Sequence, residues 1–231
     1  MYIGMTASIC SLIYACLVLI VYFKKIKVKN DENVIYSFMI SSNICGLILE
    51  FLMYLYAIFP NSRYSAIPTI MERLYFVYLL TWVYSFAIYV YITSHESENN
   101  YKIVSNKSAI IFLVMIYLLL IGLVSTLPIN HIINDIGTYS TGPACYVLYV
   151  VATLSIIISI VFVWRKRKVM KAKKKLPIIS LISCLIAMLI IRKFIPEALF
   201  SSSMLSFVTV LTYFTIENPD IKMAKDLAYS K

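Results

Sequence analysis

The chain alternates long apolar runs with short polar loops. Seven such runs stand out, at residues 3–23, 34–59, 70–92, 108–127, 144–164, 176–195 and 198–216. A transmembrane helix needs about 20 apolar residues to cross roughly 30 Å of hydrocarbon, and these runs are of that order. None shows the short alternating segments of a membrane β-barrel. The pattern therefore predicts an all-α fold, a polytopic membrane bundle of seven transmembrane helices. The second run is longer than a crossing requires and is expected to tilt. The sixth and seventh are separated by almost no loop, at Arg192-Lys193-Phe194-Ile195-Pro196. If those two formed one re-entrant unit, the tail would fall on the other side.

Composition agrees with this class. The 231 residues are 61% hydrophobic and 14% charged, with a mean hydropathy of +0.84. Soluble domains carry about 25% charged residues. The longest loop, Pro128 to Pro143, is about sixteen residues, too short to hold a soluble core. No internal repeat stands out, so the inverted-repeat signature of many secondary transporters is not visible. Met1 leads almost directly into an apolar run, with no basic leader segment and no small-residue cleavage site. The first helix is expected to serve as its own insertion signal.

Charge orients the bundle. The net charge of +10 would suggest nucleic acid in a soluble protein. Here the Lys and Arg residues cluster in loops beside apolar runs, which the positive-inside bias explains better. Four follow run one, two precede run four, eight follow run five and three lie in the tail, so 17 of the 21 fall on one side. Arg63, Arg73, Arg192 and Lys193 fall on the other. The expected orientation is N-terminus outside and C-terminus cytoplasmic. The basic cluster from Arg165 to Lys175 sets topology on this reading, and it also suits anionic lipid headgroups.

A few residues carry candidate chemistry. Glu50 lies in the outer half of run two, where an ionised group is costly and marks function. The competing view places it near the outer interface, protonated, or bonded to a neighbouring Tyr. Asn43 lies deeper in the same run. Ser42 and Gly46 have the small-xxx-small spacing of close helix contacts, so helix packing competes with sensing here. Tyr75, Tyr78, Trp82 and Tyr89 share one helical face of run three. Tyr75 and Tyr91 read as interfacial anchors, and Trp82 is deep enough to pack inside the bundle. Arg192 and Lys193 either snorkel to headgroups or attract an anionic ligand. Run seven carries Ser201, Ser202, Ser203, Ser206, Thr209, Thr212 and Thr215, and so is expected inside the bundle. Its hydroxyls can bond back to their own helix. The ligand and sensing candidates are therefore Glu50, Asn43, Tyr78, Trp82 and Arg192.

Other chemistry finds little support. The five Cys lack CxxC spacing and read as free thiols, with a Cys10–Cys145 disulfide left open. His95 and His131 fall on opposite sides of the predicted membrane. No HExxH, GxSxG, Walker loop or metal-spaced cluster occurs. The expectation is no enzyme, no metal and no cofactor.

Three stretches resemble a known family. Leu74-Tyr75-Phe76-Val77-Tyr78-Leu79-Leu80-Thr81-Trp82 is similar to the third helix of the N-terminal seven-helix membrane region of bacterial sensor histidine kinases. Tyr139-Ser140-Thr141-Gly142-Pro143 resembles that family's Tyr-x-x-Gly-Pro turn before helix five. Glu217-Asn218-Pro219-Asp220 resembles its Glu-Asn-Pro-Asp after helix seven. The resemblance implies a sensor domain at 1–216 and a truncated cytoplasmic connector helix at 217–231, with Glu217, Asn218, Pro219 and Asp220 as signal relay. Physically, Pro219 restricts Asn218 to a turn and Asp220 can cap a new helix. Ile221, Ala224 and Ala228 then follow a 3-4 spacing suited to a second copy. Neither a phosphoacceptor His region nor an ATP-binding glycine box occurs here, so kinase activity is expected to lie outside these residues. The implied partners are the lipid bilayer, a second copy or a cytoplasmic kinase output domain, and an unidentified small ligand, with no nucleic acid. The implied place is the bacterial inner membrane. The competing function is a small transporter or channel, with Glu50, Asn43 and run seven lining a path.

Overall fold

The computed structural model describes residues 2–24, 31–58, 66–95, 107–134, 137–166, 172–194 and 201–216. Over these described residues it is all-helical apart from one small hairpin. Helices α1 (Tyr2–Lys24), α2 (Asp31–Ile58), α3 (Ala66–His95) and α4 (Lys107–Thr126) come first. Strands β1 (Asn130–Asn134) and β2 (Gly137–Thr141) follow, then α5 (Pro143–Arg165), α6 (Ala172–Phe194) and α7 (Ser201–Thr215). Each predicted apolar run holds one helix, displaced by a few residues at its ends. Four of them are long and apolar enough to cross a membrane: Gly4–Lys24, Asp31–Tyr56, Ile67–His95 and Pro143–Arg165. In α4 the apolar stretch is the shorter Ile111–Thr126. In α7, 15 helical residues rise only about 22 Å.

Local chemistry explains several boundaries. Asp31 and Glu32 occupy the first turn of α2, where carboxylates meet the positive end of the helix dipole. Gly142 holds φ +112°, a conformation L side chains rarely adopt, and a Cβ there would meet the Pro128 carbonyl oxygen at 3.1 Å. Pro143 then opens α5, where its fixed φ suits the first helical position and its missing N–H costs nothing. The Tyr-x-x-Gly-Pro stretch is thus a hairpin exit and a helix start in one. The loop expected over Pro128–Pro143 is in fact largely ordered: β1 and β2 pair antiparallel, with Ile132 opposite Tyr139. The β-branched Ile132, Ile133, Thr138 and Thr141 favour the pleated conformation.

The helices alternate in direction. Ser8 of α1 meets Glu50 of α2, and Tyr22 meets Tyr36, so α1 and α2 are antiparallel. In α2 and α3, Asn43 meets Tyr78 and Glu32 meets Tyr89. In α3 and α4, Thr81 meets Tyr117 and Tyr84 meets Leu113. By contrast α3 and α7 run parallel, since Tyr75 meets Ser202 and Tyr89 meets Thr215. Arg73 donates to the Ser125 and Leu127 carbonyls, and Ser140 donates to Glu72. These contacts tie the start of α3 to the end of α4 and to the hairpin.

The main core centres on α3, with Phe76, Leu80, Trp82, Phe86 and Val90 packed against α5 and α6 side chains such as Leu148 and Leu181. The outside is apolar too. Phe112, Met115 and Leu119 of α4 and Val150, Leu154 and Trp164 of α5 are exposed. Soluble monomers rarely expose contiguous apolar surface on this scale. Conversely, Ser202, Ser206, Thr209, Thr212 and Thr215 of α7 are buried. A bundle that is apolar outside and hydroxyl-rich inside fits a membrane protein.

Candidate functional site: a polar seam along helices three and seven

Residues three and four apart share a helix face. On α2 that rule aligns Asn43, Gly46, Glu50 and Tyr54, and all four are buried. Tyr78 of α3 donates to Asn43 Oδ1 at 2.9 Å. Its ring covers Gly46 so closely that any Cβ there would collide with it. Small-xxx-small packing and side-chain recognition are thus one device here, because Gly46 makes the room that lets Tyr78 reach Asn43.

Glu50 is only 2% exposed. Its Oε2 accepts a hydrogen bond from Ser8 Oγ of α1 at 2.8 Å. The same Ser8 hydroxyl is 3.1 Å from the Gly4 carbonyl oxygen. A hydroxyl has one proton, so these are alternative acceptors. Ser202 of α7 faces the carboxyl as well, and Tyr54, Tyr75 and Tyr78 lie near it. Glu50 Oε1 and Asn43 Nδ2 have no hydrogen-bond partner among the described residues. No cation pairs with Glu50 among the described residues; the ion pair seen there joins Lys174 to Glu32.

From this end a seam of hydrogen bonds runs down the bundle. Tyr75 OH pairs with Ser202 Oγ at 3.0 Å, Trp82 Nε1 donates to Thr209 Oγ1 at 2.9 Å, and Tyr89 OH pairs with Thr215 Oγ1 at 3.1 Å. The α3 partners are seven residues apart each time. Seven residues return a helix to nearly the same face, so two parallel helices can meet at each repeat. Thr209 and Thr212 also donate to their own helix, at the Leu205 and Val208 carbonyls. Trp82 stacks on Phe86 with ring centroids 5.2 Å apart.

The far end of the seam is charged. Lys174 Nζ of α6 lies 3.0 Å from Glu32 Oε2 of α2, with both side chains almost wholly buried. Tyr89 OH donates to Glu32 Oε1 at 3.2 Å. The Tyr89 phenol therefore joins the α2–α6 ion pair to Thr215, near the end of α7.

The sequence-predicted residues divide as follows. Glu50, Asn43 and Tyr78 come together in one cluster, and Trp82 lies on the same α3 face, two turns on from Tyr75. Trp82 packs inside the bundle as expected. Tyr75 is a correction: it is buried beside Ser202 rather than anchored at an interface, because α7 brings a hydroxyl to its phenol. Glu50 is buried in the bundle, with Ser8 of α1, Tyr75 and Tyr78 of α3 and Ser202 of α7 around it. Tyr91 packs against His95 and Phe162. Arg192 lies on α6, but its side chain is outside the described residues, as are Glu217, Asn218, Pro219 and Asp220. Cys10 and Cys145 are both free, the first exposed and the second buried in the core. Among the described residues no group of three His, Cys, Asp or Glu could hold a metal.

Sequence reasoning missed Ser8, Glu32 and Lys174. Ser8 is one small hydroxyl in an apolar run. Glu32 falls just before the predicted second run, at residues 34–59, and Lys174 reads as one of eight topology-setting cations. Their partners lie 42 and 142 residues away in the chain, and no local pattern encodes that. Searches against family models and against curated proteins matched nothing in this chain.

Proposed function

We propose that the chain is a membrane-embedded sensory input module. In it, seven spans place the N-terminus outside and the C-terminus in the cytoplasm of a bacterial cell. Residues 217–231 are the connector to a histidine-kinase output, in the same or a separate polypeptide, and a second copy of the chain pairs with the first. The supporting observation is the three-rung attachment of α7 to α3. The helix that leads to the connector begins beside Glu50, so a change at that carboxyl is felt along its length. The alternating helix directions and the 17-to-4 split of basic residues agree with the orientation.

The test is a fusion. A kinase core joined after Lys231 is expected to autophosphorylate at a level that changes when Glu50 is replaced by Gln. Pro219→Ala is expected to remove that response while leaving basal phosphorylation. A fusion indifferent to both substitutions would defeat the proposal.

Among the described residues Glu50 Oε1 and Asn43 Nδ2 accept or donate no hydrogen bond, which favours a second function, solute transport through the seam. Transport requires flux in liposomes holding this chain alone, and the sensor function requires none.

A further inference from the structure

We infer that Glu50 and Ser8 form a reversible proton-binding site within the bundle, so that the stimulus read by the proposed module is the proton. The identification of that stimulus rests on the sensory function proposed above; the proton site itself rests on geometry alone.

The first observation is burial without a counter-charge. Glu50 is 2% exposed, accepts a hydrogen bond from Ser8 at Oε2, has the Ser202 hydroxyl as a second polar neighbour and has no cation beside it among the described residues. A buried carboxylate in that position is costly, and taking up a proton removes the cost. The groups that face it are Ser8 from α1, Tyr54 from its own helix, Tyr75 and Tyr78 from α3, and Ser202 from α7. None of these is a cation that would hold the carboxyl charged. Tyr14 of α1 bonds to Ser11 and to the Ser203 carbonyl instead.

The second observation is that Ser8 can serve both protonation states without moving its backbone. With Glu50 ionised, Ser8 donates its proton to Oε2 at 2.8 Å. When a proton from water binds Oε2, the new carboxylic O–H donates to the Ser8 oxygen. Ser8 then turns its own proton to the Gly4 carbonyl, 3.1 Å away. One O–H bond forms on Glu50 as one breaks in the hydronium ion that delivers the proton and becomes water, no covalent bond breaks in the protein, and the group loses its negative charge. Both states keep every hydroxyl proton in a hydrogen bond.

The third observation is size. The Gly46 Cα is covered by the Tyr78 ring, and a Cβ on Gly4 would collide with the Tyr54 hydroxyl. The contacts flanking the carboxyl are thus close-packed on both α1 and α2, and a proton needs no cavity.

The experiment is infrared difference spectroscopy on the full chain in lipid nanodiscs across a pH series. The wild type is expected to show a carboxylic C=O band that grows as pH falls, absent from Glu50→Gln. If Glu50→Gln does not assemble, Glu50→Asp keeps the acid and is expected to shift the band. Ser8→Ala removes the donor to the ionised form and is expected to move the midpoint to higher pH, with about a tenfold gain in proton affinity. A spectrum in which Glu50 substitution changes no pH-dependent band overturns the proposal, as does a Ser8→Ala midpoint that stays put or falls. A midpoint that depends on replacing choline by sodium overturns it in favour of a metal cation. A titrating band together with a kinase fusion indifferent to pH leaves the proton site standing and removes the sensory function instead.

Discussion

Trp82 of α3 donates its indole N–H to Thr209 of α7 across 2.9 Å, with both residues buried. It is the middle rung of the seam and the one farthest from either charged end. Side-chain hydrogen bonds inside membrane bundles are worth about 0.6 kcal/mol on average and up to about 1.7. Thr209→Val keeps the shape and strands the donor, so a loss of about 1–2 kcal/mol is expected. A double-mutant cycle with Trp82→Phe, read by denaturant unfolding in micelles, should give a coupling near 1 kcal/mol. A coupling indistinguishable from zero would mean that the rung holds nothing.

At Gly46 the Tyr78 ring of α3 lies directly against the α2 backbone. Gly46→Ala drives a methyl group into the Tyr78 ring and is expected to cost about 1–3 kcal/mol through overpacking. Tyr78→Leu in the same chain should recover a good part of that loss, because the flat ring is what blocks the methyl. Thermal unfolding of the two single variants and the double checks this. Strict additivity would show that the steric conflict lies elsewhere.

The Glu32–Lys174 pair should respond asymmetrically. Lys174→Met removes the Lys174 cation from a buried carboxylate and is expected to cost about 3–5 kcal/mol. Glu32→Gln together with Lys174→Met should be far milder, since no charge is then stranded. Equal losses in the single and double variants would argue that the pair is solvated in the working protein.

Orientation is testable with two reporter cysteines in a Cys-free background. Asn130→Cys in the hairpin should react with a membrane-impermeant maleimide on intact cells. Lys166→Cys, after α5, should react only once the cells are opened. Labelling of both from the same side would refute the proposed N-out arrangement.

The helices were legible from the sequence because bilayer crossing imposes length and apolarity together, and both survive in single runs such as residues 144–164. That Tyr75, Tyr78, Trp82 and Tyr89 share one face of α3 was legible as well, since they repeat with helical spacing, but only Trp82 was expected to point inward. What those side chains meet was not legible. Tyr75 reads as an interfacial anchor on its own helix and becomes a buried partner only once Ser202 arrives from α7. The hairpin was hidden for a different reason. Ile132 and Ile133 read as loop beside the much longer apolar runs, and their strand character shows only against Tyr139 and Thr138. Glu50 and Asn43 were found because polar groups in apolar runs are conspicuous. Ser8 was not, since a serine in a membrane helix can satisfy itself on its own backbone.

The hydroxyls of α7 recur at 202, 206, 209, 212 and 215, one on nearly every turn of the buried face. The rungs from α3 use only 202, 209 and 215. If α7 slid by about one turn, roughly 5.4 Å, Ser206 would come within reach of a phenol or indole now served by its neighbour. Polar contacts of this kind set a ladder with spare notches. Val208 of α7 packs in the same apolar core as the α3 side chains, and a slide would have to repack it. Such a helix can change its longitudinal position by about one turn and trade like for like at two of its three rungs.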